Sequence, residues 1–162
     1  MKRNKTKKFD LIIIGGGSGG VRAARIASLH GAKVAICEKD KMGGTCVIRG
    51  CIPKKLLFYS SQFQNIFSYS DSYGWSNRGV KYDFFKMIKN KNKEITRLEK
   101  IYEKNIIASG ATIFKGEASF INKNKIKINN DIIIGEKIII ATGGTPISLK
   151  VLGSHYADDS DT

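Results

Sequence analysis

Cys46 and Cys51 stand in Gly43-Gly44-Thr45-Cys46-Val47-Ile48-Arg49-Gly50-Cys51-Ile52-Pro53-Lys54-Lys55, separated by four residues. Two thiols at this spacing can close on each other or exchange with an external disulfide. In a regular helix, residues five apart lie roughly 8–9 Å apart between Cα atoms. A disulfide spans less than about 7 Å, so pairing requires a loop or a distorted first turn. Gly50 supplies the freedom, and Pro53 suits the first position of a helix; that helix is expected from Pro53 towards Tyr69. Cys51 would then lie at the positive end of the helix, where a thiolate is stabilised and the pKa falls. Lys54 and Lys55 oppose the helix dipole in the same turn, and such departures tend to mark functional or strained sites. Zinc would need further ligands, but there is no second cysteine pair, and His30 and His155 are isolated. No metal site is expected. The better reading is a redox-active dithiol that forms a disulfide when oxidised.

The elements that would position this pair begin upstream. Phe9-Asp10-Leu11-Ile12-Ile13-Ile14 resembles a buried parallel strand. It leads into Gly15-Gly16-Gly17-Ser18-Gly19-Gly20, which satisfies G-x-G-x-x-G through Gly15, Gly17 and Gly20. A helix is expected over Val21–His30, stopped by Gly31, and a second strand over Lys33–Cys37, ending at Glu38. Strand, glycine turn, helix and a downstream acid form the context that makes this motif a dinucleotide-binding fingerprint. The glycines let backbone amides approach a pyrophosphate at the helix N-terminus, and Glu38 can accept bonds from a ribose. Cys37 reads as a buried strand residue without chemistry. The dithiol segment follows Glu38 closely, which sets a redox pair beside a dinucleotide site.

Further along, Ser70–Asn77 reads as a polar loop. Tyr82 to about Ser109 reads as a long helix, with Phe84, Phe85, Ile88, Ile95, Leu98, Ile101, Tyr102 and Ile106 at near-helical spacing. Ala111–Lys115 suits a third strand, Gly116–Asn130 alternates as a β-meander would, and Asp131–Ile140 runs into Ala141-Thr142-Gly143-Gly144. The expected fold is α/β: a Rossmann-like parallel sheet with flanking helices and a meander.

Composition narrows the function classes. The 162 residues suffice for one core-bearing domain. A net charge of +14 raises the possibility of nucleic acid, but the lysines are scattered and no zinc finger or aromatic–basic strand accompanies them. No nucleic-acid partner is expected. No run approaches the roughly 18 apolar residues of a membrane span, and the basic start, Met1 to Lys8, leads into a strand and not into a signal-peptide core. A cytoplasmic location and no membrane partner are the expectations.

Taken together, Gly-Gly-Gly-Ser-Gly-Gly, Glu38, Gly-Gly-Thr-Cys-x4-Cys-x-Pro-Lys and Ala-Thr-Gly-Gly resemble the flavoprotein disulfide reductases, the class I pyridine nucleotide-disulfide oxidoreductases. Within them the match is closest to glutathione reductases of the plant and proteobacterial type, since lipoamide dehydrogenases and mercuric reductases usually carry Pro-Ser-Lys after the second cysteine. The resemblance implies FAD as cofactor, NADPH as co-substrate of the complete enzyme, glutathione disulfide as substrate and a homodimer. It implies that Cys46 is the interchange thiol and Cys51 the thiol facing the flavin, with Lys54 near the reactive flavin nitrogen. Ser18 and Gly19 would touch FAD, Glu38 its ribose, Gly44 and Thr45 the flavin side, Ala118 the adenine region, and Thr142 and Gly143 the pyrophosphate side. Ser18, Arg25 and Tyr102 match glutathione-contacting positions. The same resemblance divides the chain into a basic tail (1–8), an incomplete FAD-binding domain with the dithiol (9–150), and a segment (151–162) where relatives enter their NADPH domain. A second dinucleotide motif and the family's late His-Glu pair are missing from the 162 residues, so a fragment inactive by itself is expected. A lipoamide dehydrogenase or mercuric reductase fragment, or a non-catalytic flavin-binding module, is the alternative.

Overall fold

The structure is a computed structural model and describes residues 6–160. Its centre is β1 (Lys7–Ile14), an apolar strand flanked by two parallel neighbours. One neighbour is β2 (Val34–Glu38), which pairs in parallel with β3 (Thr112–Lys115). The other is β6 (Asp131–Ile140). Beyond β6 lie β5 (Lys125–Ile128) and β4 (Ala118–Asn122), both antiparallel, so the six-stranded order is β3-β2-β1-β6-β5-β4.

From Leu11 to Ile14 the period of two along β1 sends neighbouring side chains to opposite faces. Ile13 joins a core with Val21, Ala24, Val34, Ile36, Met42, Ile106 and Ala111, which is the face covered by helices α1 (Ser18–Leu29) and α4 (Phe84–Ala108). Ile12 and Ile14 join a second core with Phe9, Ala35, Cys37, Phe114 and the meander residues Ile126, Ile128 and Ile133. The meander therefore covers the face that the helices leave. Strand β6 serves both layers: residues 131–134 pair with β5, and 133–140 with β1. Gly135 lies where the layers meet, and a Cβ there would sit 2.8 Å from Ile12 Cγ1.

The dithiol segment forms α2 (Gly44–Ile48), a break at Arg49–Gly50, and α3 (Cys51–Tyr69). The helix thus starts two residues before the expected Pro53, which occupies its third position. That is tolerated because N–H groups in the first turn have no helical acceptor. The loop expected over Ser70–Asn77 contains a short 3-10 helix, Ser70–Tyr73. Asp83 caps α4 by accepting a hydrogen bond from Lys86 N at 2.9 Å. Of the apolar positions expected on α4, Ile95 and Ile106 are buried, whereas Phe84 and Phe85 are exposed. No helix among the described residues is long and apolar enough to cross a membrane.

Candidate functional site

The C-terminal ends of β1, β2 and β6 meet at one edge, where the backbone of Gly15 donates to Cys37 O (2.8 Å) and that of Ala141 to Ile14 O (2.7 Å). Chain leaves β1 at Gly15 and enters α1 at Ser18. A side chain at Gly20 would run into the Gly15 carbonyl, so glycine is what allows α1 to press this closely on the strand end. Gly17 differs: a Cβ there would meet no protein atom nearer than Gly44 Cα at 3.7 Å. Its glycine leaves open space in front of the α1 N-terminus, where free backbone N–H groups attract an anion.

Glu38 closes the turn from below. Its Oε2 accepts from Gly16 N at 2.5 Å and its Oε1 from Asp40 N at 2.8 Å. Each carboxylate oxygen retains acceptor capacity, so hydroxyls of a ribose can still be held. Gly43 N donates to Gly16 O at 2.8 Å, pulling the dithiol segment onto the turn. Gly44, at φ +63°, has a backbone conformation that favours glycine, and a Cβ on it would lie 2.5 Å from Gly17 Cα.

Cys46 ends up half-buried in α2 and Cys51 exposed as the first residue of α3; both are free thiols. The two are in hydrogen-bonding contact, which the distortion at Arg49–Gly50 makes possible. That side-chain bond raises the Cys46 pKa above the ordinary thiol value, and desolvation and the proximity of Cys51 add to it. A backbone hydrogen bond from Cys51 acts in the opposite sense. That backbone bond comes from the first residue of α3. Cys37, buried in the sheet, is pushed up to about 12 by desolvation, which fits an inert strand residue.

These parts surround a cavity of about 800 Å³, within the range of cofactor sites. The glycine turn contributes Gly15, Gly17, Ser18 and Gly19, the second strand contributes Glu38, and the dithiol segment Gly44, Thr45, Cys46 and Cys51. Ala118 from β4 and Thr142 and Gly143 after β6 complete the set expected from sequence. Gly20 lies beneath the turn, and Lys54, Arg25 and Tyr102 lie outside the lining. Lys54 and Arg25 are exposed; Tyr102 packs against the core on the α1 side of the sheet. Sequence reasoning missed Lys39, Asp40, Lys41, Arg49 and Glu117, which also line the cavity. The first three directly follow Glu38, a position that could have flagged them. Lys39 reaches Glu117 at 3.6 Å, and Arg49 pairs with Asp40; the sequence carries no signal for either pairing.

An open glycine before a helix N-terminus, an acid with spare acceptor capacity and a dithiol on the same wall fit a redox dinucleotide. Residues 9–161 match the family described as pyridine nucleotide-disulphide oxidoreductase. The chain is 45% identical over 153 residues to glutathione reductase of Burkholderia cepacia, covering 94% of this chain and 34% of that protein. It is 39% identical to the chloroplastic/mitochondrial glutathione reductase of Pisum sativum, covering 94% and 30%, and 37% identical to glutathione reductase of Nostoc sp., covering 96% and 34%. The chain therefore spans about a third of the length of these relatives. Among solved structures, the Cu(II) complex of the HOCl-induced flavoprotein disulfide reductase RclA from Escherichia coli aligns with a TM-score of 0.75 and 27% identity, over 90% of this chain and 31% of that one. The family and this flavoprotein neighbour imply FAD as the cofactor, and the match over nearly the whole sequence decides the assignment: the chain belongs to the pyridine nucleotide-disulphide oxidoreductase family.

Proposed function

We propose that this chain is the FAD and redox-dithiol unit of an NADPH-dependent glutathione-disulfide reductase. The observation that carries the reading is the presence of Cys46 and Cys51 on the wall of the same cavity as the glycine turn and Glu38. The glutathione reductase relatives support the choice of substrate. In this reading residues 9–150 are the FAD-binding domain, 1–8 a basic tail and 151–162 the approach to an NADPH domain. The complete enzyme is a cytoplasmic homodimer.

The residues divide the work as follows. The α1 N-terminus with Ser18 and Gly19 holds the pyrophosphate, joined from the other side by Thr142 and Gly143. Glu38 holds the adenosine ribose, Ala118 the adenine, and Gly44, Thr45 and Lys54 the flavin side. Bound FAD supplies a two-electron carrier that restores the dithiol after each turnover. Ser18, Arg25 and Tyr102 bind glutathione disulfide. The Cys46 thiolate attacks one sulfur of glutathione disulfide, forming a mixed disulfide and releasing one glutathione thiolate, which takes up a proton. Cys51 then attacks Cys46 Sγ, so that the Cys46–Cys51 disulfide forms and the second glutathione leaves. The Cys51 backbone hydrogen bond lowers the cost of the Cys46 thiolate, whereas the thiol–thiol bond holds the proton at rest.

Two measurements test this. Thiol titration of the air-oxidised, folded chain should find the Cys46–Cys51 pair closed, and reduction should restore both thiols. The chain mixed with FAD should retain a flavin absorption spectrum through gel filtration. Two free thiols from this pair after oxidation, or no retained flavin, would overturn the reading.

A further inference from the structure

The loop that carries Cys46 is closed on itself by an ion pair. Its first residue, Asp40, is anchored by its backbone to Glu38 Oε1 at 2.8 Å. In its middle, Gly43 N is fixed to Gly16 O at 2.8 Å. Its last residue, Arg49, bonds through its backbone to Thr45 O at 3.0 Å, and its guanidinium donates to the Asp40 carboxylate. Arg49 lies three residues after Cys46 and two before Cys51, at the break where one helix ends and the next begins. The distance between the two sulfurs therefore depends on where Arg49 is held. Its guanidinium fork is suited to a carboxylate, and the partner's backbone is tied to the nucleotide-binding turn.

We propose that the Asp40–Arg49 ion pair is a positioning clamp that keeps Cys46 and Cys51 within reach of each other and so favours their disulfide. The inference rests on the reading of Cys46 and Cys51 as an exchanging dithiol. A clamp acts through effective concentration, raising the chance that the second thiol meets the first. A charge acting alone would behave otherwise. A guanidinium acting only by its charge would favour thiolates and thus the dithiol, and its removal would favour the disulfide.

That difference sets the experiment. The full chain, Asp40→Asn, Arg49→Gln and the charge-reversed Asp40→Arg/Arg49→Asp variant are equilibrated anaerobically in glutathione buffers. The reaction read is dithiol plus glutathione disulfide giving the Cys46–Cys51 disulfide plus two glutathione thiols, with the protons passing to glutathione. Alkylation and mass measurement report the oxidised fraction, and circular dichroism reports folding. Asp40 and Arg49 side chains are 46% and 32% exposed, so the effect is modest. Each single variant should lower the equilibrium constant for disulfide formation by about three- to fivefold, or about 14–21 mV at 29.6 mV per tenfold. The reversed pair should recover most of that loss. Single variants that shift in opposite directions, or that leave the constant unchanged while folded, would overturn the clamp. A reversed pair no better than the singles would do the same. A wild-type chain that forms no disulfide at any glutathione ratio would remove the dithiol reading and the clamp with it.

Discussion

Glu38 has two tasks, and they can be separated experimentally. It ties Gly16 and Asp40 together through their backbone amides, and its spare acceptors face the cavity. Glu38→Ala should weaken FAD binding by about 1–3 kcal/mol, the scale of losing hydrogen bonds to a charged group, as read by flavin fluorescence titration. Equal affinities would exclude Glu38 from the site. Cys46 offers a pH test. Its thiol is held above the ordinary value chiefly by the Cys51 side chain. Cys51→Ala removes that bond while leaving the backbone bond that favours the thiolate. The midpoint of the pH profile for alkylation of Cys46 should therefore fall, and an unchanged or higher midpoint would contradict the geometry. That Glu38 and Cys46 stand near each other on one cavity was legible in sequence, because the dithiol segment follows the strand end so closely.

At the scale of elements, Gly17 and Gly20 make a matched pair. Alanine at Gly20 meets the Gly15 carbonyl, so Gly20→Ala should cost about 1–3 kcal/mol of stability, as overpacking does. Alanine at Gly17 is accommodated by the protein but intrudes on the cavity. Gly17→Ala should spare thermal stability and weaken FAD binding at least several-fold. Denaturation and flavin titration on both variants check the contrast, and loss of stability at Gly17 with none at Gly20 would invert it. At the start of α4, away from the cavity, Asp83→Ala should cost about 0.5–2 kcal/mol through loss of the cap, measured by urea denaturation. Strand β6 was read to the residue, because its isoleucine run is bounded by Asn129-Asn130 and Ala141-Thr142-Gly143-Gly144. Pro53 misled the start of α3, since proline suits several first-turn positions and the sequence does not choose among them. Phe84 and Phe85 misled differently. Periodicity says that a helix has an apolar face but not which other element, if any, covers it.

At the scale of the whole molecule, the fold brings a glycine turn, an acid and a dithiol to one edge of the sheet, while the +14 charge remains dispersed along the chain. The fold class was legible because the G-x-G-x-x-G turn had a strand before it and a helix after it. The meander was legible as strands, but its packing over the second face of the sheet was not, because the contacts of Ile126, Ile128 and Ile133 with Ile12 and Phe9 are long-range. These 162 residues contain one dinucleotide turn, and hydride transfer needs the nicotinamide oriented against the flavin. This chain alone, mixed with FAD, NADPH and glutathione disulfide, should therefore show no enzyme-dependent loss of NADPH absorbance. Saturable turnover abolished by Cys46→Ser would contradict that expectation. The central claim, a flavin and a dithiol working in one cavity, is tested most directly by anaerobic dithionite titration of the oxidised, FAD-loaded chain. Uptake should be about four electrons per FAD, two for the flavin and two for the Cys46–Cys51 disulfide, falling to about two in Cys46→Ser. Uptake of only about two electrons by the wild-type chain would contradict it.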